Sequence, residues 1–455
     1  MTGRTTSTAT RVERGSLVVA NLVAACCLLV LAMAPPAARA QEPEAAASPP
    51  PSPTATAEAA PPTIDHTNDA GQDDDPQPRR KLIHWNELDG PISTFRVGFT
   101  LLMDAATYSQ DTESERQVTI DDPDAGVRDS RLLFRGRFKT ERPLSWTFGY
   151  MYDNADGSWR VRQTGFQIGF PTAKGTLFVG RTKEGYSMIK VMAGTQGWGQ
   201  ERTFSLDAFV PILADGLKWS GYFPEHRVFF QLGLYDDELS EDESFATFDH
   251  QVVTRIGWLP ISSEGDKKLL HVAVMGRAGH PDEGSLRLRS KPEESQSPFF
   301  VDTGAIASDY AQTTGGEIYY REGPWLFGGE YNWETVDVTG GEKERFHGGN
   351  VVAVWLITGE TRAYNAPGGY FGPVSPDRTV FEGGPGAWEA VLNLSYIDLD
   401  SESFSGGKMW RLTPMVNWHL SDNIRFELGY GYAVLDRFDL HGATQFFQTR
   451  LQLAL

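Results

Sequence analysis

Residues 82–455 predict an all-β fold, a transmembrane antiparallel β-barrel of about sixteen strands, preceded by a signal peptide and a disordered linker. Three observations carry the prediction. Apolar and polar residues alternate with period two through most of this segment. The apolar phase stays bulky and aromatic, whereas the other phase is Gly, Thr, Asn, Arg and Glu, a poor dry core but a good wet lumen. The one long apolar run lies at the N-terminus, so a polytopic helical membrane protein is excluded.

That N-terminal run is read first. Arg4, Arg11 and Arg14 precede an apolar stretch from Leu17 to Ala34, and Ala38-Arg39-Ala40 supplies a small-x-small cleavage pattern. Charge, apolar core and small-residue site in this order predict a secretory signal peptide over residues 1–40. Val23-Ala24-Ala25-Cys26 also resembles a lipoprotein box, but cleavage there would leave apolar Leu28 to Ala34 on the mature chain. Both cysteines, Cys26 and Cys27, lie inside the predicted peptide, which excludes a disulfide scaffold, a thiolate metal site and a cysteine nucleophile from the mature chain.

Residues 41–81 are rich in Pro, Ala, Thr and acids, with Pro49-Pro50-Pro51 and Asp73-Asp74-Asp75 as typical pieces. Such a stretch buries too little apolar surface to offset its ordering entropy, and a disordered linker is expected. A tether to the cell wall is the functional alternative.

The strands follow. Phe95, Val97, Phe99 and Leu101 alternate with Arg96, Gly98 and Thr100, and Leu144, Trp146, Phe148 and Tyr150 alternate with Ser145, Thr147 and Gly149. Ile424, Phe426, Leu428, Tyr430 and Tyr432 alternate with Arg425, Glu427, Gly429 and Gly431. Turns are expected at Asp215-Gly216, Gly340-Gly341, Gly406-Gly407 and Ser421-Asp422-Asn423. A soluble β-sandwich alternates too, but here the apolar face stays bulky and aromatic in almost every run, and the other face of Gly, Thr, Asn, Arg and Glu suits a wet lumen better than a dry core. In lipid, a closed barrel satisfies every strand hydrogen bond.

Charge needs care. Lys+Arg is 41 and Asp+Glu is 60, a net −19, and loss of the four Arg and one Glu of residues 1–40 takes it to −22. That argues against a nucleic-acid partner. The polar strand phase is different. It carries ten basic positions (Arg96, Arg131, Arg135, Arg137, Arg255, Arg277, Arg321, Arg411, Arg425 and Arg450) against seven acidic ones (Asp104, Asp153, Glu317, Glu330, Glu334, Glu389 and Glu427). Arg131, Arg135 and Arg137 fall on one face of one strand, with Leu132, Phe134 and Phe138 on the other. Residues two apart stand about 7 Å apart along a strand, so an anion could step between guanidinium groups, which bind oxygens bidentately and stay charged. The alternative is that these arginines pair with Glu or Asp across the lumen. Arg160 and Arg162 form a second basic pair, and the phase switches between Arg162 and Phe166, at a bulge near Gly165.

No catalytic or cofactor motif stands out: there is no His-Glu-x-x-His, no Gly-x-Ser-x-Gly and no P-loop. His226, His271, His347 and His419 are scattered singly, and Asp398 to Glu402 lacks the glycine and spacing of a Ca²⁺ loop. The expectation is a non-enzyme with no cofactor and no metal.

Several segments resemble the phosphate-selective porin O and P family of Gram-negative outer membranes, from near Phe95 to the C-terminus. Leu356 to Tyr364 (Leu-Ile-Thr-Gly-Glu-Thr-Arg-Ala-Tyr) is similar to that family's Leu-Thr-Gly-Glu-x-Arg-x-Tyr. Gly386-Ala387-Trp388-Glu389 and Asn417-Trp418-His419-Leu420 resemble two further signatures, and Arg289 to Glu293 with Asp302-Thr303-Gly304 resembles its Arg-Pro-Glu loop. Arg128-Asp129-Ser130-Arg131-Leu132 resembles an Arg-Arg-x-Arg-Leu strand start, Val179 to Lys183 resembles Val-Gly-x-x-Lys, and Glu201-Arg202 a Glu-Arg loop element. The sequence departs at Asp129, at Lys291 and at Asn393, where the family favours arginine, and it ends in Leu455 rather than Phe. The missing arginines leave the fold intact and bear on phosphate selectivity.

The resemblance implies an outer-membrane, sixteen-stranded barrel, often a homotrimer, that passes inorganic phosphate, polyphosphate or other small anions by diffusion. On it, Arg128, Lys183 and Arg202 join Arg131, Arg135 and Arg137 as the expected anion path, and residues 185–204 are expected to fold into the pore. A general porin of weak selectivity, or a structural barrel anchoring the N-terminal linker, are the alternative functions.

Overall fold

Sixteen antiparallel strands, each paired with the next in sequence, close into a barrel when the last pairs with the first. The computed structural model describes residues 86–120, 124–153, 157–236, 248–263 and 267–455. The predicted signal peptide and linker lie outside the described residues.

The strands are β1 (Thr94–Gln110), β2 (Asp124–Arg137), β3 (Leu144–Asp153), β4 (Ser158–Phe170), β5 (Gly175–Thr182), β6 (Ala214–Phe223), β7 (Val228–Asp236) and β8 (Phe248–Ser262). They continue with β9 (Lys268–Pro281), β10 (Val301–Glu322), β11 (Trp325–Val338), β12 (Lys343–Leu356), β13 (Ala387–Asp400), β14 (Ser405–His419), β15 (Ile424–Arg437) and β16 (Leu440–Ala454). Closure runs from Thr100 opposite Ala454 through Asp104 opposite Arg450 to Gln110 opposite Thr444. Closure leaves no sheet edge and so no unpaired ladder in lipid.

Burial is inverted relative to a water-soluble domain. Arg255 and Arg321 are 0% exposed, whereas Val274 is 63% and Val351 65% exposed. Apolar side chains therefore face outward and charged ones inward, the phase the alternation predicts. Stacked Trp325–Trp355 and Trp388–Trp418 pairs, each with ring centroids 5.0 Å apart, mark the rim nearer the chain's two barrel ends. Aromatic rings favour that depth because their bodies are apolar and their edges polar.

Two expected turns are strand interior instead. Asp215-Gly216 belongs to β6 and Gly406-Gly407 to β14. Asp215 faces inward and holds Arg181, while the Gly407 N–H donates to Asp400 Oδ1 beside a register shift. In both places glycine marks an irregular strand rather than its end. Among the described residues, α-helix is confined to short connections: α1 (Thr112–Gln117), α2 (Met188–Val191) and α3 (Phe204–Phe209).

The lumen is filled by chain. Residues 183–213, between β5 and β6, enter from one end, and Arg181 clamps the base of this segment to Asp215 through bonds of 2.9 and 3.1 Å. Tyr186 donates to Asn332 Oδ1 on β11 (3.0 Å), the Met188 N–H to Glu317 on β10 (2.7 Å), and Asn417 on β14 to the Trp198 carbonyl (2.8 Å). The expected inward fold of residues 185–204 is thus present, tied to the wall opposite its origin. Part of the β9–β10 connection, around Pro292 to Ser297, and the β12–β13 connection, 357–386, enter as well. The latter carries a small hairpin, Tyr364–Asn365 with Tyr370–Phe371, whose Phe371 is fully buried.

Candidate functional site

Two β-bulges aim arginine at the lumen. On β2 the pairing with β1 slips between Leu102 and Met103, so Val127 and Asp129 take successive partners and Arg128 is the extra residue. Arg128 and Asp129 consequently both line the lumen, one residue apart. On β4 the register with β3 slips between Phe148 and Tyr150, and the neighbours Arg162 and Gln163 are both buried. This bulge lies a little before the predicted Gly165. At Gly180 a φ of 129° ends the alternation of β5 and lets Arg181 turn inward, which is why strand parity there is unreadable from sequence.

A cavity of about 80 Å³ is lined by Arg128, Arg131, Arg202, Arg411 and Arg450, with Asp129, Glu201, Glu293 and Asn393 among them. Of the six sequence-derived path residues, three meet here: Arg128, Arg131 and Arg202. Arg135 is half-buried and Arg137 exposed, farther along β2 toward the terminal rim, and neither lines the cavity. Lys183 is 1% exposed and donates to the Met192 carbonyl (2.9 Å), so its head group is turned into the inserted segment rather than the cavity.

Most lumen arginines have their charge matched. Arg255 pairs with Glu317 (2.5 Å), Arg277 with Glu184 (3.1 Å), Arg362 with Glu389 (2.6 Å), Arg425 with Glu427 (2.6 Å), and Arg450 with Asp104 and Glu201 (2.6 Å each). Arg128 binds Glu201 through Nε (2.9 Å) and NH2 (3.0 Å). Arg411 donates to the Pro292 carbonyl, Gln448 and Thr413. These pairs are made within a strand (Arg425–Glu427), between neighbouring strands (Arg450–Asp104) or with the inserted segment (Arg277–Glu184), whereas the pairing across the lumen weighed from sequence concerned Arg131, Arg135 and Arg137.

The exception is the wall formed by β2 and β4 with the inserted segment. Arg131, Arg162, Arg202, Lys183 and Lys190 stand in mutual electrostatic reach. Asp129 accepts from Arg131 NH2, Glu201 and Asp207 face Arg202, and Glu184 and Asp207 face Lys190, so five cations share four carboxylates, two of which also serve Arg128, Arg450 and Arg277. Arg131 Nε, Arg162 Nε and Asp129 Oδ1 are buried without a hydrogen-bond partner among the described residues. Burial first, then Arg202, Arg162 and Arg131, push the Lys183 ammonium well below its ordinary range. For Lys190 burial and Arg202 act in the same direction. Burial would raise the Glu201 carboxyl, but Arg128 and Arg450 outweigh it and hold it well below the usual carboxylate range. Burial pushes Glu293 up to about 7, against the pull of Arg411. Clustered buried cations with too few carboxylates are costly unless an anion joins them.

Sequence reasoning noted Arg162 without placing it in the path, because a bulge hides its direction. It did not single out Glu293 as a lumen group, since it sits in a connection with no alternation to read. Among the described residues no group of His, Cys, Asp or Glu is arranged to hold a metal ion.

Comparison with known proteins agrees with this architecture. The family model described as phosphate-selective porin O and P matches residues 97–455. An uncharacterized protein of Caulobacter vibrioides is 28% identical over 163 residues, a stretch covering 36% of this chain and only 32% of that protein. Among solved structures, the trimer form of OmpT, an outer membrane protein of Vibrio cholerae, superposes with a TM-score of 0.51 at 11% identity, covering 80% of this chain and 100% of its own. An anion-selective porin from Comamonas acidovorans gives 0.51 at 10% identity, with the same coverage. At such identities the likeness to the solved structures is one of fold.

Proposed function

The chain belongs to the phosphate-selective porin O and P family, and we propose that it provides an Arg-lined diffusion path for anions, inorganic phosphate first among them, across the outer membrane. One observation carries the reading: the buried cluster of Arg131, Arg162 and Arg202, which Asp129, Glu201 and Asp207 face but which keeps Arg131 Nε and Arg162 Nε without an acceptor among the described residues. The cavity wall offers Arg411 and Arg450, whose donors are largely engaged, and Arg131 and Arg202, each held by one hydrogen bond, to Asp129 and to the Ile189 carbonyl, with donors to spare. Guanidinium groups suit this step because they replace hydration oxygens without losing charge. Arg128 acts indirectly, by fixing Glu201 and hence the inserted segment. Arg135 and Arg137 continue the path along β2 toward the terminal rim. Burial and the neighbouring arginines disfavour the charged forms of Lys183 and Lys190, so the positive potential of the path rests on the guanidinium groups. A homotrimer is the proposed assembly, by family and by analogy with the trimeric OmpT form.

Planar-bilayer recording of the purified protein tests this reading. A cation-to-anion permeability ratio well below one, with chloride current blocked by low phosphate, is the expected result. Weak selectivity without phosphate block would favour a general porin, the reading suggested by the internal pairing of Arg255, Arg277, Arg425 and Arg450.

A further inference from the structure

Two exposed histidines stand side by side on the outer wall of the barrel, away from the lumen. His250, near the start of β8, and His280, near the end of β9, are directly opposite in the register of this strand pair, at the rim away from the chain's two barrel ends. They share the face of Val252 and Val274, which are exposed two and six residues farther along their strands. The next pairing joins Pro281 to Phe248, so Asp249 is the extra residue of a β-bulge. Phe248 and Gln251 are buried, which leaves Asp249 and His250 together on the outer face. Asp236, the last residue of β7, stands opposite His250 on its other side. His280 Nδ1 lies 2.6 Å from the Asp309 carbonyl oxygen, which can only accept, so Nδ1 carries the hydrogen and Nε2 the lone pair. The Tyr310 ring steadies the same imidazole edge-on, with centroids 5.7 Å apart.

We propose that His250 and His280 form a binding site for a divalent transition-metal ion of the Zn²⁺, Ni²⁺ or Cu²⁺ class. The site lies outside the channel and is independent of the anion reading above. Residues directly opposite on antiparallel strands have Cβ atoms about 4.5–5.5 Å apart. From that spacing two imidazole nitrogens can reach one ion at about 2.0–2.1 Å. His280 is set for the role, because a ligating imidazole donates its other N–H to a carbonyl or carboxylate, which fixes the tautomer and raises the basicity of the ligating nitrogen. Asp236 and Asp249 add negative charge beside the pair. Among the described residues no third His, Cys, Asp or Glu completes a group with the two, so the ion's remaining positions are open to water. Imidazole nitrogen favours Zn²⁺, Ni²⁺ and Cu²⁺, whereas Ca²⁺ and Mg²⁺ prefer oxygen. An ion held by both rings ties β8 to β9 where the bulge interrupts their ladder.

Isothermal titration of the purified, tag-free protein in detergent with Zn²⁺, Cu²⁺ and Ca²⁺ tests the site. One Zn²⁺ should bind per chain, Cu²⁺ more tightly, and Ca²⁺ without saturation. His250→Ala and His280→Ala should each weaken Zn²⁺ binding by about tenfold or more. Both side chains are exposed, so neither change opens a cavity in the barrel. His441→Ala is the control: His441 lies on β16, across the barrel, and is held by Asp436, and its loss should leave the affinity unchanged. Zn²⁺ should also raise the thermal unfolding midpoint of the wild type and not that of the double variant, because an ion that binds only the folded chain stabilises it. Absence of saturable Zn²⁺ binding below about 1 mM overturns the proposal. So does binding that survives in the double variant, which would place the ion elsewhere on the chain, or a loss seen in only one of the two single variants. Calcium binding as tight as zinc would mean an oxygen site and overturns it too.

Discussion

Arg128 on β2 and Glu201 on the inserted segment face each other in a bidentate pair, with bonds of 2.9 and 3.0 Å. Glu201 also accepts from Arg450 NH2 (2.6 Å) on β16, so one carboxylate ties the segment to two strands on either side of β1. Planar fork-to-carboxylate pairing fixes position as well as charge. Glu201→Ala should therefore loosen the segment more than Arg128→Ala, which leaves the Arg450 contact. A charge-assisted bond of this kind contributes roughly 2 kcal/mol. The expected outcome is raised open-channel current noise and larger conductance in both variants, ranked in that order, in single-channel recordings.

Arg131 and Arg202 should matter for selectivity in a way Arg277 does not. Arg277 is matched by Glu184, hydrogen-bonds Gln251, and lies over the Phe248 ring. Replacing Arg131 and Arg202 by Ala removes two cations from the unneutralised cluster. The anion preference should fall by about five- to tenfold, corresponding to roughly 1–1.4 kcal/mol. Arg277→Ala should leave the permeability ratio within about twofold while lowering barrel stability, because it strands Glu184. Reversal potentials under a salt gradient measure the first, and urea unfolding the second.

The fold was legible because a barrel writes itself as alternation, and lipid on one side with water on the other enforces it along every strand. Trp325, Phe327, Tyr331 and Trp333 face outward on β11 while Glu330, Asn332 and Glu334 are buried, as the phase predicts. The site was legible only in part. Arg131 follows the phase of its strand. Arg128 and Arg162 sit at bulges, where one extra residue resets the phase and the sequence shows only a blemish in a pattern. The depth of the lumen segments depends on contacts more than a hundred residues apart, such as Asn417 with Trp198 or Tyr186 with Asn332, which no local pattern encodes.

Glu293 gives the path a pH dependence. It lines the cavity near Arg411 and Asn393, with burial pushing its carboxyl up to about 7. Below that pH it is neutral, where an exposed glutamate would still be charged, so the lumen loses one negative charge as the solution turns acid. Anion preference should rise as pH falls through about 7, with a change of one charge. Glu293→Gln should abolish this step and hold the acid value at all pH. Permeability ratios measured across pH 5.5–8.5, roughly one and a half units either side of the midpoint, read the effect directly.

Arg362 joins the two large inserted segments to the wall. It pairs with Glu389 on β13 (2.6 Å), and its NH1 donates to the Gln196 carbonyl of residues 183–213 (2.6 Å) and to the Gly372 carbonyl of its own segment (2.9 Å). Its carbonyl in turn accepts from Arg321 NH1 on β10 (2.5 Å). At 1% exposure the pair is fully desolvated, and Glu389 holds Asn417 as well. Arg362→Ala would leave Glu389 buried with its main cation removed, a loss of about 3–5 kcal/mol. Glu389→Gln in the Arg362→Ala background removes the stranded charge and should restore part of that loss. Urea unfolding of the lipid-reconstituted barrel reads both, and equal stability of the single and double variants would mean that the bonds to the Gln196 and Gly372 carbonyls, rather than charge, are what Arg362 contributes.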